Sequence, residues 1–100
     1  MRIQTQSLHF DADVKLLDFI SKKVAKLEKF HSNIVSADII LKLENPTSKV
    51  QDKIVEVIIN IPGARLVAKE TSRVFEKSVD TALDSLKRQL RKHKTKVAQA

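Results

Sequence analysis

The spacing of apolar residues switches between two periods along this chain, and the switches mark its elements. Residues 2–9 alternate loosely and predict a strand with Ile3 on one face. From Val14 to about Phe30 the period lengthens, and Leu16, Leu17, Ile20, Val24 and Leu27 form one helical stripe. Asp13 is well suited to cap that helix at its start. Lys15, Lys22, Lys26 and Lys29 fall together on the opposite side, with Lys23 at its margin. His31-Ser32-Asn33 breaks the pattern, and Asn33 suits a left-handed helix end.

Alternation then returns. Ala37, Ile39, Leu41 and Leu43 interleave with Asp38, Lys42 and Glu44, which predicts a half-buried strand, and Asn45-Pro46-Thr47-Ser48 predicts a turn after it. A further strand sets Val55, Val57, Ile59 and Ile61 against Glu56 and Asn60. Pro62-Gly63 makes a tight turn, and residues 65–70 form a short fourth strand. Thr71 or Ser72 caps a last helix, with Phe75, Val79, Leu83, Leu86 and Leu90 on one stripe and Lys77, Arg88, Arg91 and Lys92 on the polar side.

The order β-α-β-β-β-α predicts an α+β fold: a two-layer sandwich of a four-stranded sheet with two helices packed on one face. Three strands in hairpin sequence pair antiparallel, and both helical stripes need the same sheet face. The helices then lie side by side, and their outward basic sides merge into one cationic surface. Ile40, Ile54, Ile58 and Val67 point to the other face. They read as ordinary β-branched residues on an exposed pleat, with a protein-contact patch as the alternative.

One hundred residues suit a single domain, taken as 1–96, with 97–100 as a disordered tail. Four Phe and no Trp or Tyr leave the core to Ile, Val and Leu. No cysteine is present, which excludes disulfides and thiolate chemistry. The start of the chain does not resemble a signal peptide, and no apolar run approaches a membrane span, so a cytoplasmic protein is expected.

Charge changes this picture most. The formal net charge is +7, and residues 72–100 hold +5 of it. Within KRQLRKHKTK, residues 87–96, six of ten side chains are Lys or Arg, His93 is a seventh basic group, and none is acidic. One or two cations are favoured at a helix C-terminus by its dipole; six exceed that need. A stiff cationic face suits a polyanion, and nucleic acid is the commonest. Aromatic platforms are missing from the strands, which argues against reading unstacked bases and fits recognition of structured RNA through its backbone. Charge alone leaves duplex DNA or an anionic membrane surface open, although the apolar stripe of each helix is needed by the core.

Catalysis finds little support. His9, His31 and His93 show no metal-ligand spacing, and one glycine cannot build a phosphate-cradling loop. Asp80 and Asp84 are expected to pair with neighbours such as Lys77, Lys87 and Arg88. No catalytic residue, metal, cofactor, small-molecule substrate or membrane partner is therefore expected.

Three stretches, ISKKVAKLEK (20–29), VEVIINIPGARLVA (55–68) and VDTALDSLKRQLRKHK (79–94), together with the element order, closely resemble the ribosome hibernation-promoting factors. That family is also called ribosome-associated inhibitor A and, in older usage, a modulator of an alternative sigma factor. The resemblance spans essentially the whole chain. It implies a non-enzymatic bacterial protein that binds the small ribosomal subunit and its rRNA at the decoding channel. Blocking mRNA and tRNA there silences translation in stationary phase or stress.

Carried over by position, the rRNA contacts would be Lys22, Lys23, Lys26 and Lys29 on the first helix. On the second they would be Lys87, Arg88, Arg91, Lys92 and Lys94. Ser7 and Leu8 depart from the family pattern before His9, and Glu76 stands at an often aromatic position. The length matches the short form, which implies either a separate ribosome-dimerising factor as a further partner or the silencing of single ribosomes only. The rivals are a protein-binding regulator of a sigma factor and a general structured-RNA or ribosome-assembly protein.

Overall fold

A computed structural model describes residues 1–31, 33–44 and 52–99, with the side chains of the last helix described through His93. The elements are β1 (Arg2–Ser7), α1 (Val14–Ala25), a 3-10 turn (Lys26–Lys29), β2 (Ser36–Glu44), β3 (Asp52–Ile61), β4 (Ala64–Ser72) and α2 (Phe75–Gln99). The expected turn at Asn45–Ser48 lies outside the described residues. So does Ala100, the end of the expected 97–100 tail, while residues 97–99 form the last turn of α2.

The sheet order is β1-β2-β3-β4. β2, β3 and β4 pair antiparallel, as hairpin sequence requires, and β1 pairs parallel with β2 through the α1 crossover. Both helices cover one face. Ala37, Ile39, Leu41, Val55, Val57 and Ile59 meet Ile20, Val24 and Leu27 from α1 and Val79, Leu83, Leu86 and Leu90 from α2 in a single core. All of these residues are 3% exposed or less. The alternation along the strands and the stripe on each helix converge on one apolar layer, and this fixes the strand register.

Local chemistry sets the boundaries. The Asp13 carboxylate accepts the Lys15 backbone N–H at 3.3 Å and caps α1, as expected. Gly63, at φ 80°, follows Pro62 in the two-residue turn between β3 and β4. Pro presets the first turn position, and Gly takes at the second a φ that other residues rarely adopt. A Cβ on Gly63 would meet nothing within 4 Å, so the requirement there comes from the backbone alone.

Three local expectations are corrected. Asn33 is not left-handed; the only non-glycine residue with positive φ among those described is His9, at 64°. The first helix instead tightens into its 3-10 turn, and Phe30 and His31 donate backbone N–H groups to the Leu27 carbonyl at 2.9 and 3.2 Å. The second concerns the start of α2. The Ser72 hydroxyl accepts the Val74 N–H at 3.3 Å and contacts the Ser78 hydroxyl at 2.7 Å, two residues short of a cap. Buried Ser78 in turn donates to the Lys53 carbonyl at 2.9 Å, tying α2 to β3. Third, Ile54 and Ile58 on the open sheet face are 2% and 9% exposed, so they are not bare surface residues, whereas Val67 is 45% exposed.

Candidate functional site

The two helices run parallel. Contacts between them advance in the same direction on both: Lys23 with Asp80, then Phe30 with Lys87, then His31 with His93. Both helix C-termini therefore lie at one end of the layer. Each brings partial negative charge from its unpaired carbonyls, and basic side chains there are stabilised. The dipole favours the cations at the end of the first helical segment, but α2 runs on to Gln99, so Lys87, Arg88, Arg91 and Lys92 stand well before its last turn. The dipoles do not use up the charge, because each helix end amounts to about half an elementary charge.

The sequence-predicted residues divide into three groups on this frame. Lys22, Lys26 and Lys29 are exposed on α1 and its 3-10 turn, and Arg88, Arg91 and Lys92 are exposed on α2. Lys23 and Lys87 are partly buried and face the seam, where a groove is lined by Lys23, Lys26, Asp80, Leu83, Asp84 and Lys87. The Lys94 side chain lies outside the described residues. Lys23 and Lys26 from the first helical segment and Lys87 from α2 thus meet in one groove, together with Asp80 and Asp84.

Asp80 behaves differently from its expectation. Its carboxylate pairs with Lys23 across the seam at 3.6 Å, where partners within its own helix were expected. Lys23 also stands 5.5 Å from the Phe19 ring centroid. The side-chain amide of Gln89 donates to the Val67 carbonyl at 3.1 Å, on the outer edge strand β4, and to the Ser85 hydroxyl at 3.2 Å. Gln89 thus holds the basic stretch of α2 against the sheet and satisfies a carbonyl on an edge strand.

Sequence reading missed the aromatic groups at the cationic end. Phe30 is 42% exposed, and the Lys87 ammonium lies 5.2 Å from its ring centroid. The His31 and His93 rings are 6.4 Å apart, tilted by 47°. The His31 ring nitrogen Nδ1 accepts the Asn33 N–H at 3.2 Å. Only folding joins these residues, so no local spacing could have announced them. Among the described residues, no group of three or more His, Cys, Asp or Glu could hold a metal ion. Likewise, no helix among them is long and apolar enough to cross a membrane.

A family model described as Sigma 54 modulation protein / S30EA ribosomal protein matches residues 3–98. The chain belongs to this family. The resemblance drawn from the three sequence stretches is thereby borne out. Among relatives, a ribosome hibernation promoting factor of Pseudomonas putida is 32% identical over 96 residues, covering 96% of this chain and 89% of its own length. A ribosome hibernation promotion factor of Bacillus subtilis is 34% identical over 82 residues, 82% of this chain and 42% of that protein. Among solved structures, a ribosomal subunit interface protein from Coxiella burnetii matches with a TM-score of 0.83 at 27% identity, covering 95% of this chain and 99% of that one. The Thermus thermophilus Protein Y N-terminal domain has the same fold, with a TM-score of 0.80 at 20% identity over 93% of this S30EA-family chain.

Proposed function

We propose that this S30EA-family protein is a ribosome hibernation factor that acts in the cytoplasm without catalysis. It binds the small ribosomal subunit through rRNA and occupies the channel that mRNA and tRNA would use. Residues 1–96 form the binding domain, and a ribosome-dimerising factor is proposed as a further partner. The rRNA phosphates are contacted by Lys22, Lys23, Lys26 and Lys29 from the first helical segment and by Lys87, Arg88, Arg91, Lys92 and Lys94 from α2.

One observation carries the reading: two parallel helices bring their basic C-terminal segments to one end of the molecule, and residues 87–96 include no acid. Such a surface gains affinity by releasing counterions from phosphates, and it is held at a fixed spacing by the core beneath. The names of the relatives, a ribosome hibernation promoting factor and a ribosomal subunit interface protein, support ribosomal RNA as the polyanion.

Sedimentation with purified small subunits tests it. The protein is expected to co-sediment with them and to reduce binding of mRNA and initiator tRNA. Undiminished binding of both, with the protein still attached, would overturn the channel-blocking mechanism.

A further inference from the structure

Charge accounts for most of this surface but not for Phe30. Of the four phenylalanines, Phe10 and Phe75 stack on one another with ring centroids 5.5 Å apart, and Phe19 packs against the core. Phe30 instead leaves 42% of itself in solvent at the C-cap, just past the 3-10 turn. Among the described residues it is the one aromatic of the five exposed large hydrophobics.

Its surroundings are those of a nucleic-acid contact. Lys87 stands 5.2 Å from the ring centroid, and Lys29, the preceding residue, is exposed. His31 follows directly and meets the ring of His93 from α2. Lys87 and His93 are about 9 Å apart along α2 at 1.5 Å per residue. Aromatic rings and cations from two elements therefore share one end of the helix pair.

We propose that Phe30 is a stacking platform for an unpaired RNA base, with Lys29 and Lys87 taking the adjoining phosphates. The inference rests on the RNA-binding reading above and adds to it a preference for RNA form. A paired base within an A-form helix cannot offer its face to a side chain, whereas a base in a loop, bulge or single strand can. Stacking tolerates any base because each has a π-face, and removing one platform lowers affinity by about 10-fold, within the usual range. The surface then distinguishes RNA with accessible bases from other polyanions of equal charge, which its lysines and arginines alone cannot do. The absence of aromatics from the strands still excludes a sheet-based reader. The platform comes from a helix exit.

The chain has neither Trp nor Tyr, so Phe30→Trp introduces a single indole at the site to be probed. This variant is titrated with oligoadenylate of about ten nucleotides, within the usual span of such sites, and separately with inorganic polyphosphate. Oligoadenylate is expected to quench the indole emission, and polyphosphate to bind without quenching. In the otherwise unchanged chain, Phe30→Leu keeps apolar bulk and is expected to weaken oligoadenylate about 10-fold, with the salt dependence and the polyphosphate affinity unchanged. Lys87→Gln is expected to flatten the salt dependence for both ligands by about 0.7 units of log-log slope. Saturation by oligoadenylate without quenching, or an equal loss of both ligands in Phe30→Leu, would overturn the platform and leave the RNA reading standing. Failure of the unsubstituted chain to bind either oligoadenylate or small subunits would overturn the RNA reading itself.

Discussion

The two halves of α2 rest on the same core and carry opposite electrostatic designs. Residues 75–86 hold Glu76, Asp80 and Asp84 with Lys77, and Asp80 reaches across to Lys23. Residues 87–94 hold Lys87, Arg88, Arg91, Lys92 and Lys94 with no acid. Beneath both halves the stripe continues without change, through Val79 and Leu83 and on to Leu86 and Leu90. The first half is what a solvated helix face looks like when folding and solubility are its only demands. In the second half Lys87 and Arg91 repel at one (i,i+4) spacing and Arg88 and Lys92 at another, each costing about 0.2–0.5 kcal/mol. That cost is offset by burial of Leu86 and Leu90, at 0% and 1% exposure.

The largest effect is expected from removing that support. Leu90→Ala is expected to cost about 2–5 kcal/mol, the range for a fully buried leucine, read as a fall in the urea midpoint. A cost well under 1 kcal/mol would mean that the basic segment is a frayed end that the core does not hold.

Charge reversal comes next. Arg88→Glu with Arg91→Glu is expected to lower affinity for small subunits by roughly two orders of magnitude, since like charge against phosphate costs several kcal/mol. Its log-log salt slope is expected to fall by about two units, near one per lost phosphate contact. The matched control is Lys15→Glu with Lys77→Glu, which changes net charge by the same amount at the other end of the helices. Lys77 is about 16 Å from Arg88 along the axis, beyond the screening length of about 8 Å at physiological salt. The control is expected to weaken binding less than about threefold. Equal losses from the two double variants would show that net charge, not its placement, drives binding.

Much of this layout was legible before folding, for physical reasons that differ by residue. Val55, Val57 and Ile59 announce a strand because period two places them on one face. Leu86 and Leu90 announce a helix because they stand one turn apart. The outward position of Lys22, Lys26 and Arg88 follows once the stripe is known. Illegible features were those that sequence spacing cannot express. The left-handed φ of His9 depends on how the chain leaves β1 after Leu8 donates its N–H to the Leu41 carbonyl at 2.9 Å. The Asp80 ion pair could be guessed only within its own helix, because Lys23 becomes a neighbour through tertiary packing. Phe30 read as the end of an apolar helix, and its meeting with Lys87 likewise needed the two helices to run parallel.

The smallest expected effect tests the seam where the two designs meet. Asp80 is the only acid in a described ion pair with a lysine of the proposed surface, and both side chains are substantially exposed, at 55% for Asp80 and 38% for Lys23. An exposed pair at 3.6 Å contributes about 0–1 kcal/mol, so Asp80→Asn should barely move the unfolding midpoint. Binding should respond in the opposite sense. Removing the carboxylate takes one negative charge away from the approaching phosphates and frees Lys23 to meet one. Affinity for small subunits is expected to rise up to about threefold, with the salt slope steepening by a fraction of a unit. Stability and affinity moving apart in this way would place Lys23 within the binding surface, held back by its partner. A fall in both would assign the pair to joining the helices and confine the surface to the segment beyond it.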